Sequence, residues 1–150
     1  MNRRSMLWAA VSSIGAGLAG ARTAAALADE SPSPKLKVVY HLNDLDRVQF
    51  VLGNIQDHYD GVGGPDNVTI ALVIHGPALR AFHLASANPD FTSRFSHLSK
   101  AGLQPAACGN TMKAQNVRLA ELQPGFVSAD RGGVVLIAEL QSQGYLYLRP

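Results

Sequence analysis

Continuous apolar runs alternate along the chain with segments in which apolar residues recur every three to four positions. Val68–Ile74 (VTIALVI) is such a run, and it is typical of a strand that is covered on both faces. An amphipathic helix is predicted before it, beginning after a possible Asn43 cap and ending at about Tyr59. Its apolar stripe consists of Leu45, Val48, Leu52, Ile55 and Tyr59.

The same patterns predict the remaining elements. Four more strands are predicted at Lys35–Leu42, Leu103–Cys108, Phe126–Ser128 and Tyr145–Arg149. A short helix follows the turn His75-Gly76-Pro77, and a longer one begins at Asn88-Pro89 and stops at Gly102. Two further helices are predicted over Asn110–Val117 and Val134–Gln143, the second with Asp130 as its cap.

Strands that are separated by helices indicate parallel pairing through right-handed crossovers, with helices on both faces of one sheet. The sequence therefore predicts an α/β fold, a three-layer α/β/α domain with a five-stranded, mainly parallel sheet. One domain is expected over residues 35–150, after a polar, proline-rich and disordered lead over residues 29–34.

The first 28 residues have the features of an export signal. Arg3-Arg4 precedes a short, weakly apolar run, and Ala26-Leu27-Ala28 supplies an A-x-A cleavage site. The arginine pair resembles a twin-arginine signal, and an ordinary secretory signal is the alternative. We therefore expect cleavage after Ala28, a periplasmic mature protein and no membrane span in it, since the apolar run is too short to cross a bilayer.

The charge of the whole chain is determined largely by this leader. Three of the thirteen basic residues and none of the eleven acidic ones precede Asp29, which leaves ten basic and eleven acidic residues and a net charge of −1. No basic patch remains that would favour a nucleic-acid partner.

Cys108 is the only cysteine, so an exported chain cannot form an internal disulfide. A single cysteine in an oxidising compartment indicates intermolecular pairing or a free thiol with a function. Its place between a strand and a helix N-terminus favours the thiolate, which is the nucleophilic form. The alternative is a small buried apolar side chain.

Ligands of open parallel sheets bind outside the carboxyl ends of the strands. The side chains expected at that edge form one candidate site: His41, His75 and Cys108 at three strand ends, then Gly109, Asn110, Thr111 and Asp130. Histidines at strand ends often serve only in packing, and a His/His/Cys metal or heme site is a lesser alternative because it lacks closely paired ligands. His58, His83 and His97 are expected to be surface or packing residues.

The segment Cys108-Gly-Asn-Thr-Met-Lys-Ala resembles the DsrE/DsrF-like family, in particular its single-domain periplasmic members. The resemblance spans Lys35 to Pro150, and its most specific part is the C-x-N-[ST] step. Ile74-His75-Gly76-Pro77 and Ala129–Gly133 support it.

The resemblance implies a five-stranded parallel sheet between helices and assembly into trimers or hexamers. It also implies that Cys108 carries a persulfide and passes sulfur to a partner protein. The leading hypothesis is therefore a sulfur carrier or transferase without a metal or nucleotide cofactor, which exchanges sulfur with donor and acceptor proteins. The alternative is a non-catalytic oligomeric module whose pocket at the sheet edge holds a ligand or partner.

Overall fold

A five-stranded sheet with all its strands parallel is the centre of the fold in the computed structural model, which describes residues 34–86 and 88–150. The strands lie in the order β4-β3-β2-β1-β5. Their bounds are Leu36–Leu42 (β1), Val68–Ile74 (β2), Gln104–Cys108 (β3), Val127–Ala129 (β4) and Leu146–Leu148 (β5).

Four α-helices connect the strands, and short 3₁₀ helices lie in the loops. The α-helices are Val48–Gly61 (α1), Pro89–Lys100 (α2), Gly109–Ala114 (α3) and Gly133–Ser142 (α4). The 3₁₀ helices are Leu45–Arg47, Pro65–Asn67, Gly76–Phe82, Leu84–Ser86 and Leu119–Glu121.

Two apolar clusters lie on opposite faces of the sheet. The larger cluster joins alternate residues of β1 and β2 to the apolar faces of α1 and α2 and to Met112 of α3. The smaller cluster joins the intervening residues, among them Val39, Val73 and Ala106, to Ile137 of α4. The predicted three-layer α/β/α fold with a five-stranded parallel sheet is therefore confirmed.

The strand order explains why α4, among the described helices, is the one that covers the second face of the sheet. Strands β2 to β4 each lie beside the strand that precedes them in the chain, whereas β5 pairs with the other side of β1. The chain must therefore cross back over the sheet between β4 and β5, and α4 makes this crossing.

Three local predictions differ from the structure. Asp44 rather than Asn43 caps the first helical turn, since its carboxylate accepts a hydrogen bond from the Asp46 N–H at 3.0 Å. The helix after Cys108 ends at Ala114 instead of Val117, because Asn116 has a φ of 50°. Asp130 does not cap α4, because Gly132 precedes that helix and the Asp130 carboxylate instead accepts a hydrogen bond from Ser128.

The predicted export signal, residues 1–28, and most of the lead, residues 29–34, lie outside the described residues. Within the described part of the chain, none of the helices combines the length and the apolar character that crossing a bilayer requires.

Candidate functional site

The strand register brings the predicted reactive side chains to one edge and one face of the sheet. Val39, Val73 and Ala106 point into the cluster under α4, and side chains two positions further along a strand point to the same face. Those positions hold His41, His75 and Cys108. Because Ile74 pairs with Ala107, the next position places His75 opposite Cys108.

The Cys108 sulfur lies where two helices begin. Burial raises the pKa of the thiol, but hydrogen bonds from the Thr111 hydroxyl and from the backbone N–H groups of Gly133, Thr111 and Asn110 lower it below its ordinary value. Thr111 and Asn110 belong to the first turn of α3, and Gly133 begins α4. These donors stabilise the thiolate, the form that reacts as a nucleophile.

A network of hydrogen bonds orients Thr111 toward the thiol. The Gly76 N–H donates to Thr111 Oγ1 at 3.0 Å, which leaves the hydroxyl proton of Thr111 free to donate to Cys108. Gln115 Nε2 donates to the Gly76 carbonyl oxygen at 2.9 Å, and Gln115 Oε1 lies 2.9 Å from His83 Nε2. His83, which the sequence assigned to surface or packing, therefore supports the network that holds Thr111.

Two glycines allow the backbone to approach the cysteine closely. A Cβ at Gly133 would lie 3.3 Å from both Cys108 Cβ and Val73 Cγ1. A Cβ at Gly109 would lie 3.1 Å from the Ala129 carbonyl oxygen. Gly109 therefore makes room for the end of β4.

His41 and His75 contact each other, and a tyrosine extends the pair. The two Nε2 atoms lie 2.6 Å apart, and His41 Nδ1 lies 2.6 Å from the Tyr147 hydroxyl oxygen. Burial, His75 and the Arg149 guanidinium lower the pKa of His41 to about 4, and burial and Arg149 also lower the pKa of His75. Both imidazoles are therefore neutral at pH 7.

Tyr147 and Arg149 were not predicted as site residues. Tyr147 pairs with Val39 across β1 and β5 and so faces α4. Arg149 follows β5, where its guanidinium donates to Asn43 Oδ1 at 3.1 Å. No signal near these residues in the sequence shows that β5 lies beside β1.

The other predicted site residues line two cavities on either side of α3. Asn110 and Thr111 line one of about 350 Å³ together with Gly76. Gly109 and Asp130 line another of about 610 Å³. Neither lining includes Cys108, which is 6% exposed.

A three-ligand metal site is not formed by the described residues. No group of three or more histidine, cysteine, aspartate or glutamate side chains in this part of the chain could hold a metal ion. The Arg149 charge that opposes protonation of the histidine pair also opposes the binding of a cation there.

Replacing Thr111 by valine is expected to weaken the thiolate. Removal of a hydrogen bond to a charged group costs roughly 1.5–3 kcal/mol, so iodoacetamide should alkylate Cys108 about tenfold more slowly at a pH below the thiol pKa. Thr111→Ser keeps the hydroxyl and should retain the wild-type rate. Rates measured across pH by mass spectrometry check this, and an unchanged profile in Thr111→Val would contradict it.

The neutral state of His41 predicts a loss of stability in acid. Unfolded histidine binds a proton near pH 6.5, whereas His41 in the folded protein does so only near pH 4. Between these values the unfolded chain binds more protons, so stability falls as the pH falls from 7 toward 4.

Urea unfolding at pH 7 and pH 4.5 measures this loss. His41→Asn should lose less stability than wild type, by on the order of 1 kcal/mol after allowance for solvent screening. The control is His97→Asn, at an exposed position of α2, which should lose as much as wild type. Equal losses in all three proteins would be inconsistent with a half-buried, neutral His41.

Comparison with known proteins finds the fold in solved structures. No protein-family model and no curated protein matches the chain. A protein of unknown function from Methanobacterium thermoautotrophicum is 25% identical, with a TM-score of 0.67 over 77% of this chain and 99% of that one. A conserved protein of unknown function from Bacteroides thetaiotaomicron is 13% identical, with a TM-score of 0.58 over 76% of this chain and 94% of that one. The chain is similar to both in fold.

Proposed function

We propose that the protein is an exported, periplasmic, DsrE/DsrF-like sulfur-handling protein in which Cys108 carries sulfane sulfur between a donor and an acceptor protein. The observation that carries this proposal is the set of donors around one sulfur atom. A hydroxyl and three backbone N–H groups lower the pKa of the Cys108 thiol in spite of its burial. A merely structural buried cysteine needs no such stabilisation of its anion.

The transfer needs no cofactor. The Cys108 thiolate attacks the outer sulfur of a donor persulfide R–S–SH, a new S–S bond forms, and R–S⁻ leaves. Cys108–S–SH then gives its outer sulfur to an acceptor thiolate, and the Cys108 thiolate leaves. The sulfur moves between thiols at one oxidation level, so neither an oxidant nor a reductant is consumed.

The same hydrogen bonds serve both halves of this exchange. A lowered pKa raises the fraction of the thiol that is ionised and able to attack, and it also makes the thiolate a better leaving group when the acceptor removes the sulfur. The backbone donors come from α3 and α4, so they are fixed in place and need not reorganise during the transfer.

Exposure of the folded protein to sodium polysulfide, followed by mass spectrometry, tests the proposal. We expect an adduct of one sulfur atom on Cys108, which a thiol acceptor such as dithiothreitol removes with release of sulfide. Cys108→Ser should lose the adduct entirely. Because the chain contains no other cysteine, any sulfur that Cys108→Ser still binds must be bound at another kind of residue. The variant is therefore also the control for sulfur bound elsewhere.

The second candidate is a non-catalytic oligomeric binding or assembly module. Cys108 is only 6% exposed, which favours this candidate over the carrier. A thiol that neither acquires sulfur nor reacts with iodoacetamide until the protein is unfolded would support the module and would refute the carrier.

Both candidate functions include assembly of the protein into a trimer or hexamer. Among the helices that the structure describes, α4 alone covers its face of the sheet, and Val134 and Val135 on it are 66% and 40% exposed. Val134 and Val135 are adjacent, and an exposed apolar patch at this position supports a contact between subunits.

Sedimentation of the folded protein tests the assembly. We expect the mass of a trimer or hexamer, and Val134→Asp should shift it toward the monomer because it would bury a charge in the contact. Phe50→Asp is the matched control, since Phe50 on α1 is also exposed, at 53%, but belongs to the opposite layer. A monomeric wild-type protein would refute the assembly.

A further inference from the structure

Three side chains form a continuous line of hydrogen bonds along the edge that contains Cys108. The Tyr147 hydroxyl contacts His41 Nδ1, and His41 Nε2 contacts His75 Nε2, each at 2.6 Å. Tyr147 is 40% exposed at the outer end. At the inner end, His75 Nδ1 forms no hydrogen bond with any residue that the structure describes.

The inner end of this line lies beside the thiol. The Cβ atoms of His75 and Cys108 lie 3.6 Å and 3.3 Å from the point that a Cβ at Gly133 would occupy. The two side chains therefore share the N-terminus of α4. Because His75 and Cys108 follow paired residues of β2 and β3, a sulfur compound that reacts with Cys108 would lie next to the His75 side chain.

The protons of these three side chains can occupy two arrangements in which both hydrogen bonds are formed. A neutral imidazole has one N–H and one nitrogen lone pair. In the first arrangement Tyr147 donates to His41 Nδ1, His41 Nε2–H donates to His75 Nε2, and His75 Nδ1 carries a proton. In the second arrangement both hydrogen bonds are reversed, and His75 Nδ1 is a bare acceptor.

Conversion of the first arrangement into the second delivers one proton at the thiol. His75 Nδ1 releases its proton, His41 passes one to His75 Nε2, Tyr147 passes one to His41 Nδ1, and water reprotonates Tyr147. No imidazolium has to persist, which agrees with the burial and the nearby Arg149 charge that keep both histidines neutral.

We propose that Tyr147, His41 and His75 form a proton relay that protonates the thiolate leaving group when Cys108 accepts sulfur. This inference rests on the proposed sulfur-handling function. The donor R–S–SH loses its outer sulfur to Cys108, and the R–S⁻ that is formed takes the proton of His75 Nδ1 and departs as R–SH. His75 is then a catalytic residue, and His41 and Tyr147 replace its proton from solvent.

Two small reagents that deliver the same group to Cys108 test the relay. Methyl methanethiosulfonate and dimethyl disulfide both transfer a methylthio group, CH3S–, to the Cys108 sulfur and form the same mixed disulfide. The first expels methanesulfinate, a weak base that needs no proton. The second expels methanethiolate, a strong base that benefits from a proton donor, and general acid catalysis contributes substantially to such a step.

The relay predicts a selective defect. His75→Asn should slow the reaction with dimethyl disulfide roughly tenfold or more, while the reaction with methyl methanethiosulfonate stays within about twofold of wild type. His41→Asn and Tyr147→Phe should show the same selectivity with smaller losses, because water can partly replace the outer members of the line. His97→Asn, at an exposed position of α2, should react like wild type with both reagents.

The ratio of the two rates separates the possible results. A perturbed thiol slows both reagents alike and leaves the ratio of their rates unchanged, whereas loss of the proton donor changes that ratio. An unchanged ratio in a His75→Asn variant that is folded like wild type therefore overturns the relay and leaves the proposed function intact. If folded wild-type protein reacts with neither reagent, the sulfur-handling function and the relay are both overturned. A solvent deuterium isotope effect with dimethyl disulfide that disappears in His75→Asn would support the relay independently.

Discussion

The close approach of the α4 N-terminus to β3 is the constraint on which the site depends. A Cβ at Gly133 would lie 3.3 Å from Cys108 Cβ, so a larger residue there would push the helix away from the sulfur. Gly132, before it, has a φ of 107°, a conformation that favours glycine. These two residues let a helix dipole and a backbone N–H reach a thiol that is otherwise almost buried.

The edge of the sheet combines two opposite electrostatic environments within a few residues. Backbone and hydroxyl donors favour the anion of Cys108, whereas burial and Arg149 disfavour the cations of His41 and His75. A thiolate–imidazolium pair is therefore not the resting state of this site. The thiolate depends on dipoles, which leaves the histidines neutral and able both to donate and to accept protons.

The sequence predicted the main parts of this site, because two features of the local sequence indicate them. Apolar runs located the strands, and polar residues directly after them located the edge, as with His75 and Cys108. The supporting contacts join distant segments, for example Gln115 with Gly76 and Tyr147 with His41. Such contacts depend on which strands are neighbours and on where a six-residue helix ends, and no local pattern determines either.

The position of β5 at the edge of the sheet makes the Tyr147 end of the site less stable than the Cys108 end. This strand has three residues, all of them exposed, and among the described strands it pairs only with β1. Short edge strands open more readily than central ones. Fraying of β5 would withdraw Tyr147 from His41, whereas the donors to Cys108 belong to α3 and α4 and would remain in place. Opening of β5 would thus interrupt the supply of protons, and a molecule that covers this edge of the sheet would restore it. The thiol itself would stay able to react throughout.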